Sequence, residues 1–295
     1  MMNKTVKIIL ITAICLIPVG AIIAGIGLAR GGRAGWSLSF SGDGANVNSE
    51  HVKDTVELQP FEDMELDIST MDVTIRRGDG YSIAYSAKKG EEPDIEQNGS
   101  TLKIKQPNLF VVFGFGGFED ESYIVTVPEG AVIGIDADIS TGDLTVDRVN
   151  ISGRIKTSSG DLMLNDTEGE MLEIETSTGD LQFDKVKAGA ISLGSSTGDM
   201  NILRMFTDDL TCHTSTGDID INNSEIGKAA IDSSTGDVSL SLNGDPNAYS
   251  YIVDTSTGDI HVNGEHSEKS YKKENGTKGE ISVHTSTGDV DIEVK

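Results

Sequence analysis

Eight aspartates recur in this chain at a spacing that could set them in a line. Asp143, Asp161, Asp180, Asp199, Asp218, Asp237, Asp259 and Asp289 each close a Ser-Thr-Gly-Asp tetrapeptide, with Ser159 in place of Thr in one copy. Carboxylates are hard oxygen ligands, and a row of them is the side-chain chemistry that calcium takes. Stacked on adjacent strands, neighbouring carboxylates stand ~4.8 Å apart and repel by about 1 kcal/mol in water, so hydrogen bonds or a cation must offset the repulsion. The Gly-Gly-x-Gly-x-Asp nonapeptide of calcium-binding β-rolls is absent. Hydrogen bonding within the turn is therefore the expected role, and a calcium ladder through Asp161, Asp180, Asp199, Asp218 and Asp237 is the alternative.

A second chemistry would need acid–base pairs on an outward face. The position before the inward Thr and Ser column holds Lys156, Glu175, Gly194, His213, Asp232, Asp254 and His284, which places His213 and Asp254 within potential reach of Asp232 on neighbouring rungs. A mixed polar, solvated face accounts for the same residues without catalysis. The five His and two Cys have no metal-ligand spacing, and no nucleophile motif or phosphate loop occurs. The expectation is no enzyme, no catalytic residue and no cofactor, calcium aside.

The elements that would position these residues follow from the spacing. The glycines of the tetrapeptides, at 142, 160, 179, 198, 217, 236, 258 and 288, are separated by 18, 19, 19, 19, 19, 22 and 30 residues, a fixed period with two late insertions. A period near 19 is the signature of a solenoid. Directly after each Asp comes Leu144, Leu162, Leu181, Met200, Ile219, Val238, Ile260 or Val290, and two residues later Val146, Leu164, Phe183, Ile202, Ile221, Leu240, Val262 or Ile292. Both columns are apolar with a mostly polar position between them, the alternation of a half-buried strand. Ala137, Ile155, Ile174, Leu193, Cys212, Ile231, Val253 and Val283 form a third inward column before the turn, with Cys212 a buried thiol. Gly at the third turn position supplies positive φ, and Thr157, Thr176, Ser195, Thr214, Ser233, Thr255 and Thr285 would stack their hydroxyls as a ladder. These patterns predict an all-β chain folded as a parallel β-solenoid (β-helix) of about 19-residue coils, right-handed because parallel crossovers are.

Composition agrees. Aromatic residues are 5% of the 295, and the formal charge is −25 from 48 acidic and 23 basic side chains. That charge excludes a nucleic-acid or anionic-lipid surface and leaves cationic peptides, other envelope proteins or a second copy as partners.

The N-terminus predicts a membrane anchor. Residues 8–29 contain no charged side chain, enough at helical rise to cross a hydrocarbon core of about 30 Å. The run is longer than a signal-peptide core of roughly 7–15 residues, so a retained transmembrane helix is favoured over a cleaved one. The resulting organisation is a short cytoplasmic tail (1–7), a single-pass transmembrane helix (8–29), a Gly- and Ser-rich linker (30–53), an N-terminal β part or cap (54–135) and the repeat solenoid (136–295). Lys4 and Lys7 are matched by Arg30 and Arg33, so the positive-charge bias alone does not orient the helix. The short tail favours the bulk of the chain on the extracytoplasmic side of the cell membrane.

Two segments break the period. Residues 106–122 carry Phe110, Phe113, Phe115 and Phe118 around a Gly-rich centre, and are expected to cap the solenoid or to contact membrane or a partner. Residues 263–280 carry Lys269, Lys272, Lys273 and Lys278, and are expected to fold over the C-terminal end, where Val290 and Ile292 would otherwise present a strand edge.

The transmembrane start, the opening "DISTMDVTIRRGDG", the middle "YIVTVPEG" and the serial "STGDL" and "STGDI" turns together resemble the bacterial putative-adhesin family of membrane-anchored β-strand-repeat proteins, over most of residues 55–295. The resemblance implies a cell-envelope protein with surface or envelope-stress associations, and it brings no catalytic residues. The expected function is a non-catalytic surface scaffold, adhesion or envelope-stress module. The alternatives are a carbohydrate-active enzyme on a β-helix or a calcium-dependent surface binding protein.

Overall fold

The computed structural model describes residues 51–107, 121–274 and 276–295. They form an all-β structure, with one 3-10 turn at Pro246–Ala248 as the only helical element among the described residues. Strands Leu162–Thr178 and Leu181–Thr197 pair in parallel from Leu162↔Leu181 to Thr178↔Thr197, so the 19-residue period is the length of one coil. The chain is a β-solenoid in which sequence-equivalent residues stack rung on rung.

Burial follows the columns. In stack order Val73, Leu144, Leu162, Leu181, Met200, Ile219, Val238, Val290 and Ile260 are in register and buried, and Ile75, Val146, Leu164, Phe183, Ile202, Ile221, Leu240, Ile292 and Val262 form the second column. Each fully buried aliphatic side chain contributes roughly 1.5–3 kcal/mol of transfer free energy, and much of that requires the rung above and below.

Two corners shape each coil. At the tetrapeptide, Gly179 has φ +138° and Gly198 φ +135°, and a Cβ added to Gly179 would lie 2.1 Å from the Gly160 carbonyl oxygen of the adjacent rung. Glycine is needed there both for the left-handed backbone and for the close stacking of rungs. The second corner lies six residues further on, where Arg148, Asp166, Lys185, Arg204 and Asn223 adopt φ between 50° and 56°. Left-handed backbone costs a residue with a Cβ about 1–2 kcal/mol. Inter-rung backbone bonds such as Arg148 N to Asn165 O at 2.8 Å and Arg204 N to Asn222 O at 2.9 Å hold the corner in place.

Both ends of the stack depart from sequence order. At one end, coil 63–78 pairs on one side with coil 132–147 and on the other with strands Thr101–Lys105 and Ser122–Pro128, so a later segment forms the outer rung. Antiparallel strands cover this end: Asp94–Asn98 on Thr101–Lys105, Ser82–Lys88 on Ser122–Pro128, and His51–Glu57 on Ser82–Lys88. At the other end, coil 279–294 sits between coil 219–242 and coil 249–262, so the last segment of the chain is the penultimate rung.

This corrects the expectation for the C-terminus. Val290 and Ile292 are internal, paired to Val238 and Leu240 on one side and to Ile260 and Val262 on the other. The lysine-rich segment does cover the end, but the end is coil 249–262: Ser270–Lys273 pairs antiparallel with Tyr251–Asp254, and Glu265–Ser267 with Ile260–Val262. The extra length between Gly258 and Gly288 is the cover plus the return path.

Candidate functional site

The aspartate column is continuous and hydrogen-bonded. In the series Asp72, Asp143, Asp161, Asp180, Asp199, Asp218, Asp237, Asp289 and Asp259, the amide N–H of each Asp after the first donates to Oδ1 of the Asp on the preceding rung, at 2.7–2.9 Å. The side chain replaces a backbone carbonyl as the inter-rung acceptor at the point where the turn lifts the main chain out of ladder register. Hydrogen bonds to a charged acceptor are the stronger kind. The member at Asp72, in Ser69-Thr70-Met71-Asp72, lacks the glycine that marks the other copies.

A side chain from outside the repeat meets the turn at each end of the stack. Beside Thr70, Gln106 stands nearly buried; its Oε1 accepts from Ser69 N at 2.9 Å and Thr70 N at 2.7 Å, while its Nε2 donates to Thr70 Oγ1 at 2.9 Å. No rung follows Asp259, and its Oδ1 instead lies 3.6 Å from Nε2 of His266 on the covering hairpin. His266 is the cross-strand neighbour of His261, with ring centroids 4.9 Å apart, and Nδ1 of His261 lies 3.4 Å from Asp291 Oδ1.

Inside the turn runs the Thr and Ser column. Thr157, Thr176, Ser195, Thr214, Ser233, Thr255 and Thr285 are all buried. Thr255 Oγ1 donates to Gly288 O at 3.1 Å, but the hydroxyls of the other six meet no hydrogen-bond partner. The column stacks as expected, yet the hydroxyls do not bond one to the next. Cys212 is buried and free, with burial pushing its thiol pKa up to about 12, so it is an inert core residue.

The outward row is brought together in a different order from that expected. His213 pairs in register with Asp232, Asp232 with His284, and His284 with Asp254, because coil 279–294 intervenes. Lys156 Nζ and Glu175 Oε2, further along the row, are 3.3 Å apart. The row alternates His and Asp on an open face. Among the described residues no three His, Cys, Asp or Glu side chains gather to hold a metal ion.

Sequence inspection did not single out a concave corner lined by Phe206, Lys187, Asp208, Glu225 and Lys278, about 440 Å³ in volume. Its sequence signal is Phe206, an aromatic at an outward position. The four phenylalanines Phe110, Phe113, Phe115 and Phe118, the predicted helix 8–29 and most of the linker lie outside the described residues. Among the described residues no helix is long and apolar enough to cross a membrane.

A parallel solenoid with a hydrogen-bonded aspartate ladder and open outward faces defines a class of β-strand-repeat proteins. The chain belongs to the Toastrack DUF4097 family, whose model matches residues 61–293. It is similar in fold to a "putative adhesin" from Bacteroides fragilis, with TM-score 0.53 and 11% identity over 82% of this chain and 97% of that one. A "putative lipid binding protein" from Parabacteroides distasonis aligns with TM-score 0.43 and 11% identity over 82% of this chain and 97% of that one. A "putative adhesin" from the same species aligns with TM-score 0.38 and 10% identity, covering 82% and 98%. No protein of curated function matches the chain.

Proposed function

We propose that this protein is a non-catalytic, membrane-anchored module of the cell envelope that displays a stiff β-solenoid on the extracytoplasmic side and works by surface contact, as a scaffold, an adhesion element or an envelope-stress component. The observation that supports it most is the use of the repeated polar residues. The aspartates that could have formed a ligand row accept the inter-rung amides, so the motif builds the solenoid and leaves its outward faces for contact. The uncharged run 8–29 followed by the linker 30–53 supplies the anchor and tether in this reading.

Fractionation with protease shaving tests it. Full-length protein is expected in the membrane fraction, extracted by detergent and resistant to carbonate or high salt, with the solenoid cleaved from intact cells by added protease. Recovery in the soluble fraction, or protection from protease until lysis, overturns the proposal.

The enzyme alternative has one observation in its favour, the outward alternation His213, Asp232, His284, Asp254. Turnover of a polysaccharide that disappears in both Asp232→Asn and His284→Ala would establish that reading in place of the first.

A further inference from the structure

Along the outward column that runs Glu168, Lys187, Phe206, Glu225, every member but one is charged, and the exception is an aromatic ring left 44% exposed. A phenylalanine on a solvated rung contributes little to the fold, since its neighbours there are a lysine and a glutamate rather than core. The face beside it is hollow for an identifiable reason. Gly189 and Gly227 flank Asp208, so no side chain stands on either side of that carboxylate, and the buried Thr207 forms the floor between ring and carboxylate. Close rung packing accounts for Gly227 in its own right, because a Cβ there would lie 2.5 Å from Asp208 O. It does not account for the ring.

The charges around the hollow are nearly balanced, unlike the chain as a whole. Lys278 Nζ lies 3.2 Å from Glu225 Oε1, and Lys187 Nζ 4.0 Å from Glu168 Oε2. Both ammoniums are thus matched, and Asp208, two residues beyond the ring on the same strand, supplies the remaining carboxylate of the lining. Such a site selects neither a polyanion nor a polycation. It suits a ligand with an apolar face for the ring and several hydroxyls for the carboxylates and ammoniums. A volume of about 440 Å³ falls within the range of small-ligand sites. The rungs involved, at ~4.8 Å each, give the corner length enough for a short linear chain.

We infer that this corner is a binding subsite for a neutral saccharide, with Phe206 as the stacking platform and Asp208 as the principal hydroxyl acceptor. The inference gives the adhesion reading a ligand class and rests on that reading only for where the sugar is met.

The test is calorimetric titration of detergent-solubilised full-length protein with chitotetraose, cellotetraose and, as a charged control, tetragalacturonate. At least one neutral tetramer is expected to bind, with affinity at least tenfold weaker in both Phe206→Ala and Asp208→Asn, and unchanged in Met171→Ala, an exposed apolar residue outside the hollow. Matching melting temperatures establish that the variants fold, and a destabilised Phe206→Ala is replaced by Phe206→Leu, which keeps the bulk and loses the ring. No binding of either neutral tetramer, binding of tetragalacturonate alone, or binding that survives loss of the ring overturns the inference. Sugar binding lost in Phe206→Ala while cell adhesion is unchanged would leave the subsite standing and remove the adhesion reading.

Discussion

At the scale of single residues the tetrapeptide divides its work between a glycine that sterics demand and an aspartate that hydrogen bonding demands. In Gly179→Ala the new methyl meets the backbone of the rung beside it, which cannot yield as a side chain could, and the residue is held at φ +138°. The expected loss is about 2–4 kcal/mol in urea unfolding, at the upper end of point substitutions. The aspartate behaves differently because the amide of Asp218 needs an acceptor rather than a charge. Asp199→Asn keeps that acceptor and relieves repulsion along the column, so its stability should lie within ~0.5 kcal/mol of the parent; Asp199→Ala leaves the amide to water and should cost about 1 kcal/mol. Thermal unfolding of the same variants in millimolar calcium and in chelator, at fixed ionic strength, separates the two accounts of the ladder. A column that serves as backbone acceptor gives equal melting temperatures, whereas a calcium ladder gives a higher one in calcium that is lost in Asp199→Asn.

Single elements show why the middle of the solenoid is legible in the sequence and its ends are not. The repeat columns are determined locally: period-2 burial, a fixed 19-residue spacing and a glycine whose φ no other residue adopts cheaply together identify the coil and the face each residue takes. The second corner is invisible to the same reading, because Arg148, Asp166, Lys185, Arg204 and Asn223 share a backbone conformation and no side-chain type. The rung Ser69–Asp72 is equally obscured by Met71 at the glycine position, and the amide of Asp143 on Asp72 Oδ1, with Val73 in register with Leu144, reveals it. Gln106 has no periodic signal at all, since it acts once, where the turn column stops. Its role is testable: Gln106→Leu fills the space but withdraws the acceptor from the amides of Ser69 and Thr70, and should cost about 1–3 kcal/mol by denaturant midpoint. Gln106→Glu, which retains the acceptor oxygens, should recover most of that loss. The hollow beside Phe206 was missed for a related reason: it is made by register across coils and not by any local motif.

For the molecule as a whole, the order of the rungs decides how the chain tolerates shortening. In a solenoid laid down in sequence order, the final coil is the outer one and its removal exposes a single new end face, a loss limited to one interface. Here the final coil, 279–294, lies between coils 219–242 and 249–262, paired in register with both. Deleting residues 279–295 therefore removes two interfaces, opens an internal slot flanked by two unpaired parallel edges, and strands the cover 265–273 on a coil detached from the body. Unpaired edges of that kind recruit other strands. The truncated chain is expected to aggregate or to lose most of the cooperative melting of the parent. A chain cut instead to end at residue 242, which discards the outer coil, its cover and the intercalated coil together, leaves one unpaired edge on coil 219–242 in place of a slot with two, and should keep a cooperative fold at a reduced melting temperature and aggregate less than the other truncation. Size-exclusion chromatography and circular dichroism on the two truncations give the comparison: the longer protein should be the less stable, an order that stacking in sequence would reverse.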